Sequence, residues 1–202
     1  MKITSYKLEK YKEIMNRPLG DSNGPSGEDL ISSNILKIYT DGGITGIAPL
    51  GNDYVKDFFP LIEGKDPREV FSIWKSMIDF VFKGGDEGEA HAALSAIDIA
   101  LWDIKAKINS EPLWRTLGSN EPRCKVYASD IGYNLSDEEL FDFFSKMSEK
   151  GVDSAKVKIG ISLEDDLRRI GIVYDALSKI TKRPRIMIDS NEYWSVKQAI
   201  QT

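Results

Sequence analysis

The 202-residue sequence contains one cysteine, Cys124, and one histidine, His91. A single cysteine excludes an internal disulfide and any cysteine-rich zinc site. No run of about 18 apolar residues is present, which argues against a membrane-spanning helix. The start, Met1-Lys2-Ile3-Thr4, alternates apolar and polar residues and lacks the continuous apolar stretch of a signal peptide. Excess basic charge is also missing. The net charge is −5, whereas phosphate binding wants a basic surface. No Gly-x-Gly-x-x-Gly follows a strand-like segment, so a nucleotide-binding βα enzyme fits poorly. These absences lead to an expectation of a cytoplasmic protein with no membrane and no nucleic-acid partner.

What is present is ordinary for a globular chain: 41% apolar and 29% charged residues. The length suffices for two modest domains. Residues 2–11 alternate like a strand, residues 34–40 form a second candidate, and Ile44 to Ala48 a third after the Asp41-Gly42-Gly43 turn. Asn16 to Asp29, rich in Gly, Pro, Ser, Asn and Asp, reads as a long loop. Asp66-Pro67-Arg68-Glu69 looks like a helix start, with Val70, Phe71, Trp74, Met77, Ile78 and Val81 on one face and Gly84-Gly85 as its end. A second helix is expected from about Glu87 to Ile108, on a stripe of Ala90, Ala93, Leu94, Ile97, Ala100, Leu101, Ile104 and Ile108. Residues 1–120 therefore suggest an α+β domain, a small antiparallel sheet followed by helices.

The rhythm then changes. Short strands at Lys125 to Ser129, Ala155 to Ile159 and Arg185 to Asp189 recur at roughly 30-residue spacing, the length of a βαβ unit. Ser136-Asp137-Glu138-Glu139 and Ser162-Leu163-Glu164-Asp165 open the helices between them. Leu140, Phe143, Phe144 and Met147 give the first an apolar face. Leu167, Ile170, Tyr174 and Leu177 are expected to face inward on the second. Repeated βα units imply a parallel sheet, either doubly wound or the start of a (β/α)₈ barrel. Two strand–helix units and a third strand cannot close a barrel, so residues 121–202 are expected to be an incomplete one, and the chain a fragment of a longer protein.

Alternation within a strand sends Lys156 and Lys158 to one face, and on the next strand Asp189 and Asn191 share a face. In βα barrels the inner face at the C-terminal strand ends is where active sites form. Alone, Lys-x-Lys reads as a solvated face and a strand-final Asp as a turn residue. Together they suggest more. A second ammonium group, burial and a divalent cation would each make a lysine give up its proton more readily. A carboxylate on the adjacent strand is a hard ligand suited to magnesium.

The ordered motifs carry a resemblance across essentially the whole chain. The helix Ala93 to Lys107, Lys156-Val157-Lys158 and Asp189-Ser190-Asn191 resemble the mandelate racemase/muconate lactonizing enzyme family of the enolase superfamily. The resemblance implies an α+β N-terminal capping domain followed by the first part of a TIM-type barrel, truncated. It implies Mg2+ and abstraction of a proton α to a carboxylate through an enediolate, as in acid-sugar dehydratases or racemases. Lys158 would be the base and Lys156 would tune it. Asp189 would be the first metal ligand, and Asn191 would support the metal or touch substrate. The loop from Asn16 to Asp29, with residues near Gly51 to Tyr54, would close over the barrel mouth. The substrate would be a small acid sugar and the assembly a homo-oligomer. His91 is expected to be structural. The further metal ligands and the second acid/base have no counterpart in these residues, so the alternative is an inactive fragment that acts only as a self-associating structural domain.

Overall fold

The structure, a computed structural model, describes residues 1–83 and 88–202. Gly84-Gly85 and Glu87, the expected end of one helix and start of the next, lie outside the described residues. The chain groups into two compact units. The first comprises Met1–Glu13 and Ser32–Arg123, the second Ile14–Ile31 and Cys124–Thr202.

A sheet in the order β1-β2-β3 is built from Ile3–Leu19, Glu28–Thr40 and Thr45–Pro49; residues 14–19 of β1 and 28–31 of β2 are grouped with the second unit, the rest with the first. Strands β2 and β3 pair antiparallel, from Ile35 opposite Pro49 to Tyr39 opposite Thr45. Gly43 takes φ +75° in the turn between them, a conformation that costs glycine little. Four helices follow: α1 Val55–Ile62, α2 Val70–Val81, α3 Glu89–Ile108 and α4 Leu113–Thr116. The inward stripe of α3 is the expected one, with Ala90, Ala93, Leu94, Ile97, Ala100, Leu101 and Ile104 all buried. Its alanines allow a close approach of the sheet. A Cβ added at Gly46 would come within 2.1 Å of the Ala100 carbonyl oxygen. Burying each large apolar side chain in this core contributes about 1.5–3 kcal/mol.

Several expectations for this unit differ from the structure. Asp66 does not cap α2. Its carboxylate accepts from the Arg68 amide and guanidinium, its carbonyl closes a turn with Glu69, and the helix begins at Val70. On α2 the buried positions are Val70, Ile73 and Met77, whereas Phe71 is 76% exposed and stacks on Trp74. The apolar residues of α2 are too many for one face, so the stripe could be drawn off-centre.

In the second unit three parallel strands lie in the order β4-β5-β6: Ala128–Ser129, Ser154–Lys158 and Arg185–Asp189. Helices α5 (Asp137–Glu149), α6 (Leu163–Leu177) and α7 (Val196–Gln201) alternate with them. Ser136 and Glu139 form a reciprocal capping box on α5, which satisfies two orphan N–H groups. Gly151, at φ +86°, follows the helix end. Leu140 and Phe144 of α5, Ala155, Val157 and Ile159 at the second strand, and Val173, Ala176 and Leu177 of α6 make the core.

The inner face of α6 is a correction. Leu167 is 62% exposed and Tyr174 is also exposed, while Asp166 and Arg169 are buried. The long loop is a second correction. Strand β1 runs on to Leu19 and β2 starts at Glu28, and Gly20 bridges Gly132. Only Asp21 to Gly27 is left between them, because backbone pairing overrides the turn-rich composition.

Candidate active site

Parallel pairing of β5 with β6 puts Lys156 opposite Met187 and Lys158 opposite Asp189. The two lysine side chains, two residues apart, thus reach the same carboxylate. Lys156 Nζ lies 2.7 Å and Lys158 Nζ 2.8 Å from Asp189 Oδ2. Lys158 also donates to Asn191 Oδ1, and the Asn191 amide donates to Asp189 Oδ1 at 3.0 Å. The four residues singled out by strand alternation, Lys156, Lys158, Asp189 and Asn191, are therefore one hydrogen-bonded group. Asn191 takes φ +46°, a left-handed conformation that Asn tolerates better than most residues. That turn aims its side chain back at Lys158.

The electrostatics follow from the geometry. The Lys158 side chain is 8% exposed and that of Asp189 22%. Hydrogen bonds from Lys156 and Lys158 hold the Asp189 carboxyl well below the usual carboxylate range. The same bond raises Lys156 above the usual lysine value. The mutual destabilisation of two ammonium groups expected from Lys-x-Lys does not lower Lys156, because a carboxylate sits between them.

Further residues complete the surroundings, two of them, Ser22 and Asn23, from the loop expected to close over the site. The Ser22 hydroxyl donates to the Ile159 carbonyl, next to Lys158. The Asn23 side-chain amide donates to the Asn191 carbonyl, so the Asp21–Gly27 loop is fastened to both chemistry-bearing strand ends. Trp194 Nε1 donates to Gly160 O at 2.8 Å. Gly160, at φ +130°, has room for no Cβ without crowding Ser190 and Ser22 at 3.2 Å. Asp130, just after β4, is buried, and burial raises its carboxyl above the usual range. The one available hint was Asp-Ser-Asn-Gly at 21–24, a run able to fold on itself, as Asp21 Oδ1 does by accepting from Asn23 N and Gly24 N. Gly51 to Tyr54 belong to the first unit, where Asn52 ties to α3 through Glu89 O at 3.0 Å.

As a metal site the arrangement offers one hard oxygen donor, Asp189, of the kind magnesium prefers. Among the described residues no group of three or more His, Cys, Asp or Glu side chains gathers. None of the described helices is long and apolar enough to cross a membrane.

The chain is similar to known proteins along nearly its whole length. Residues 30–118 match the family described as mandelate racemase/muconate lactonizing enzyme, N-terminal domain. The chain is 35% identical to the D-galactarolactone cycloisomerase of Agrobacterium fabrum over 99% of its own length and 54% of that protein's. It is 32% identical to the 3,6-anhydro-alpha-L-galactonate cycloisomerase of Streptomyces coelicolor, over 94% of its length and 49% of that protein's. A crystal structure of a racemase from Streptomyces coelicolor with bound magnesium superposes with a TM-score of 0.85 at 28% identity, covering 98% of this chain and 58% of that one. The chain thus spans about half the length of the relatives it matches. The antiparallel sheet with helices, the parallel βα units that follow and these relatives place it in one group: the chain belongs to the mandelate racemase/muconate lactonizing enzyme family of the enolase superfamily, whose N-terminal domain it matches.

Proposed function

We propose that these residues supply the base side of an enzyme that removes a proton α to the carboxylate of an acid sugar. The observation that carries the reading is the pair of lysines converging on Asp189 at adjacent parallel strand ends. Lys158, the more buried of the two, is the base. Lys156 neutralises charge beside it, and Asn191 holds the Lys158 ammonium in place and is available to substrate. Asp189 would hold Mg2+ as one of several oxygen ligands, the others belonging to the part of the parent enzyme that this chain does not span. Bound there, the cation supplies Lewis-acid stabilisation of the charge that develops on the substrate carboxylate. The carbanion equivalent that remains is an enediolate. Expulsion of a β-hydroxyl from it is dehydration, and reprotonation on the other face is racemisation. Among the relatives, those named as dehydratases of acid sugars support elimination over inversion. The test is an NMR assay of the full-length enzyme with Mg2+ in D2O against aldonates and aldarates. Deuterium entry at the α-carbon or loss of water is expected for at least one. Failure with every acid sugar, alongside turnover of another carboxylate class, would replace the substrate assignment.

A second reading has an observation of its own. In the second unit Leu163 and Leu167 of α6, Ile188 of β6, and Val196 and Ile200 of α7 are all exposed. Exposed apolar side chains on neighbouring elements are what a self-association surface would use. On this reading the 202-residue chain self-associates and serves as a structural domain. Sedimentation of the isolated chain is expected to give dimers or larger species that dissociate on Leu167→Glu. A monodisperse monomer at about 50 μM, a concentration at which a micromolar contact forms, ends the reading.

A further inference from the structure

Arg169 lies on α6 with 5% of its surface exposed. A guanidinium is costly there unless its donors find acceptors. Its Nη2 donates to Gly132 O at 2.7 Å and its Nη1 to Leu135 O at 3.0 Å. Its plane lies 5.5 Å from the centre of the Tyr133 ring. All three contacts fall in one short segment between β4 and α5. Arg17 grips the same segment from β1, donating to Asp130 O at 2.7 Å.

The backbone groups of that segment that Arg169 leaves alone hold the root of the Asp21–Gly27 loop. Gly20 N donates to Ile131 O at 2.9 Å, and Tyr133 N donates to Gly20 O at 2.9 Å. The Asn134 side-chain amide donates to Pro18 O at 3.2 Å. So the segment is held from both sides, by the loop root and by the arginine.

One turn earlier on α6, Asp166 Oδ2 accepts from Gly160 N at 2.9 Å, two residues beyond Lys158. The loop returns to the same place through Ser22 and the Ile159 carbonyl. A closed circuit results: Lys158 strand end, Asp166, one turn of α6, Arg169, the 130–135 segment, Gly20, the loop, and Ile159. The turn of helix is a stiff spacer of roughly 4.5 Å.

Strain in the segment argues that this circuit is more than core packing. Ile131 has φ +50°. A β-branched residue in the left-handed region is strained and persists only where its surroundings over-determine it. A Cβ on neighbouring Gly132 would lie 2.3–2.6 Å from the Asp130 carboxylate. The segment is therefore forced into one shape, and that shape presents Ile131 O and Tyr133 N to Gly20.

We propose that Arg169 is a positioning residue: by fixing the strained 130–135 segment it sets the root of the Asp21–Gly27 loop and so holds that loop against the end of the Lys158 strand. The catalytic meaning of this rests on the function proposed above. The positioning itself does not, and its test needs no turnover.

The experiment is residue-resolved amide hydrogen exchange on the full 202-residue chain, with Arg169→Leu, which keeps apolar bulk and removes every donor. Exchange of the Gly20 and Tyr133 amides is expected to rise about tenfold or more, while Phe144 and Val173 in the core change less than about twofold, the signature of local opening. Proteolysis between Asp21 and Glu28 is expected to accelerate in parallel. A uniform rise across the second unit would reduce Arg169 to a core residue, and unchanged Gly20 and Tyr133 would remove the connection altogether. Either result overturns the proposal. Should Arg169→Leu not fold, Arg169→Lys carries the same comparison, because an ammonium reaches one carbonyl and not two, and a local rise of about threefold is then expected. Repeating the comparison in a Lys158→Ala background separates the two readings: the loop effect of Arg169 persists there even if Lys158 proves to have no catalytic role.

Discussion

Asp189→Ala is expected to destabilise the second unit by about 2–3 kcal/mol in metal-free buffer near neutral pH. Truncating one partner of a buried ion pair costs about 3–5 kcal/mol, chiefly because the other charge is left buried and unpaired. Here the single carboxylate serves two ammonium groups, at 2.7 and 2.8 Å, and one of these, Lys158, has only 8% of its side chain exposed. The 22% exposure of Asp189 screens part of the effect, which brings the figure below the fully buried range. Asp189→Asn keeps an acceptor but not the charge, so it should fall between Ala and the native residue. Acid gives an independent check. The Asp189 carboxyl is depressed by its lysine partners, so its contribution is complete above the ordinary aspartate value of about 3.9 and fades as the pH drops below it. Native and Asp189→Ala chains are therefore expected to converge in stability on acidification. Urea midpoints measured at neutral pH and in acid decide the matter: equal stability at neutral pH would mean that the triad is no more than a surface cluster.

How legible this site was depends on the kind of regularity that encodes each part. Period-two alternation is rigid, so Lys156 and Lys158 had to share a face, and a parallel register with Lys158 opposite Asp189 brings the carboxylate to them. The α3 stripe was equally readable, because small and large apolar residues recur at helical spacing and nothing competes with them. Helix α6 misleads for a physical reason. Two overlapping stripes satisfy the helical period, the expected Leu167, Ile170, Tyr174 and Leu177, of which Leu177 is buried and Ile170 packs on the core, and the buried Asp166, Arg169, Val173 and Leu177. Charged residues are seldom buried, so the apolar stripe looks like the inner one. What reverses the choice is a set of backbone groups, Gly160 N and the Gly132 and Leu135 carbonyls, that lie far from Asp166 or Arg169 in sequence or carry no side-chain signal. The loop after β1 was mis-sized by the same blindness. Arg17, Pro18 and Gly20 look like loop residues, yet β1 runs on through Leu19 and Gly20 bridges Gly132, 112 positions away.

Lys158→Ala in the full-length enzyme is expected to lower α-proton exchange of the acid-sugar substrate by about 10²–10⁴-fold, the contribution of a positioned general base. The reasoning starts from what Lys158 touches. Its Nζ donates to Asp189 Oδ2 at 2.8 Å and to Asn191 Oδ1, so in the structure it is held between two acceptors. Asp189 would hold the cation, which would supply Lewis-acid stabilisation of the charge that develops on the substrate carboxylate. Asn191 Oδ1 accepts from the same nitrogen and holds it in place. Lys158→Arg keeps charge and much of the bulk but gives a group that stays protonated, so it should be nearly as inactive as Ala while binding substrate more tightly. Lys156→Ala is expected to weaken substrate binding along with the rate, because its more exposed ammonium lies beside the site and stabilises bound and reacting carboxylates alike. Exchange within about tenfold of the native rate in Lys158→Ala, less than a general base contributes, would hand the proton to another group and leave the two lysines as a structural anchor for Asp189.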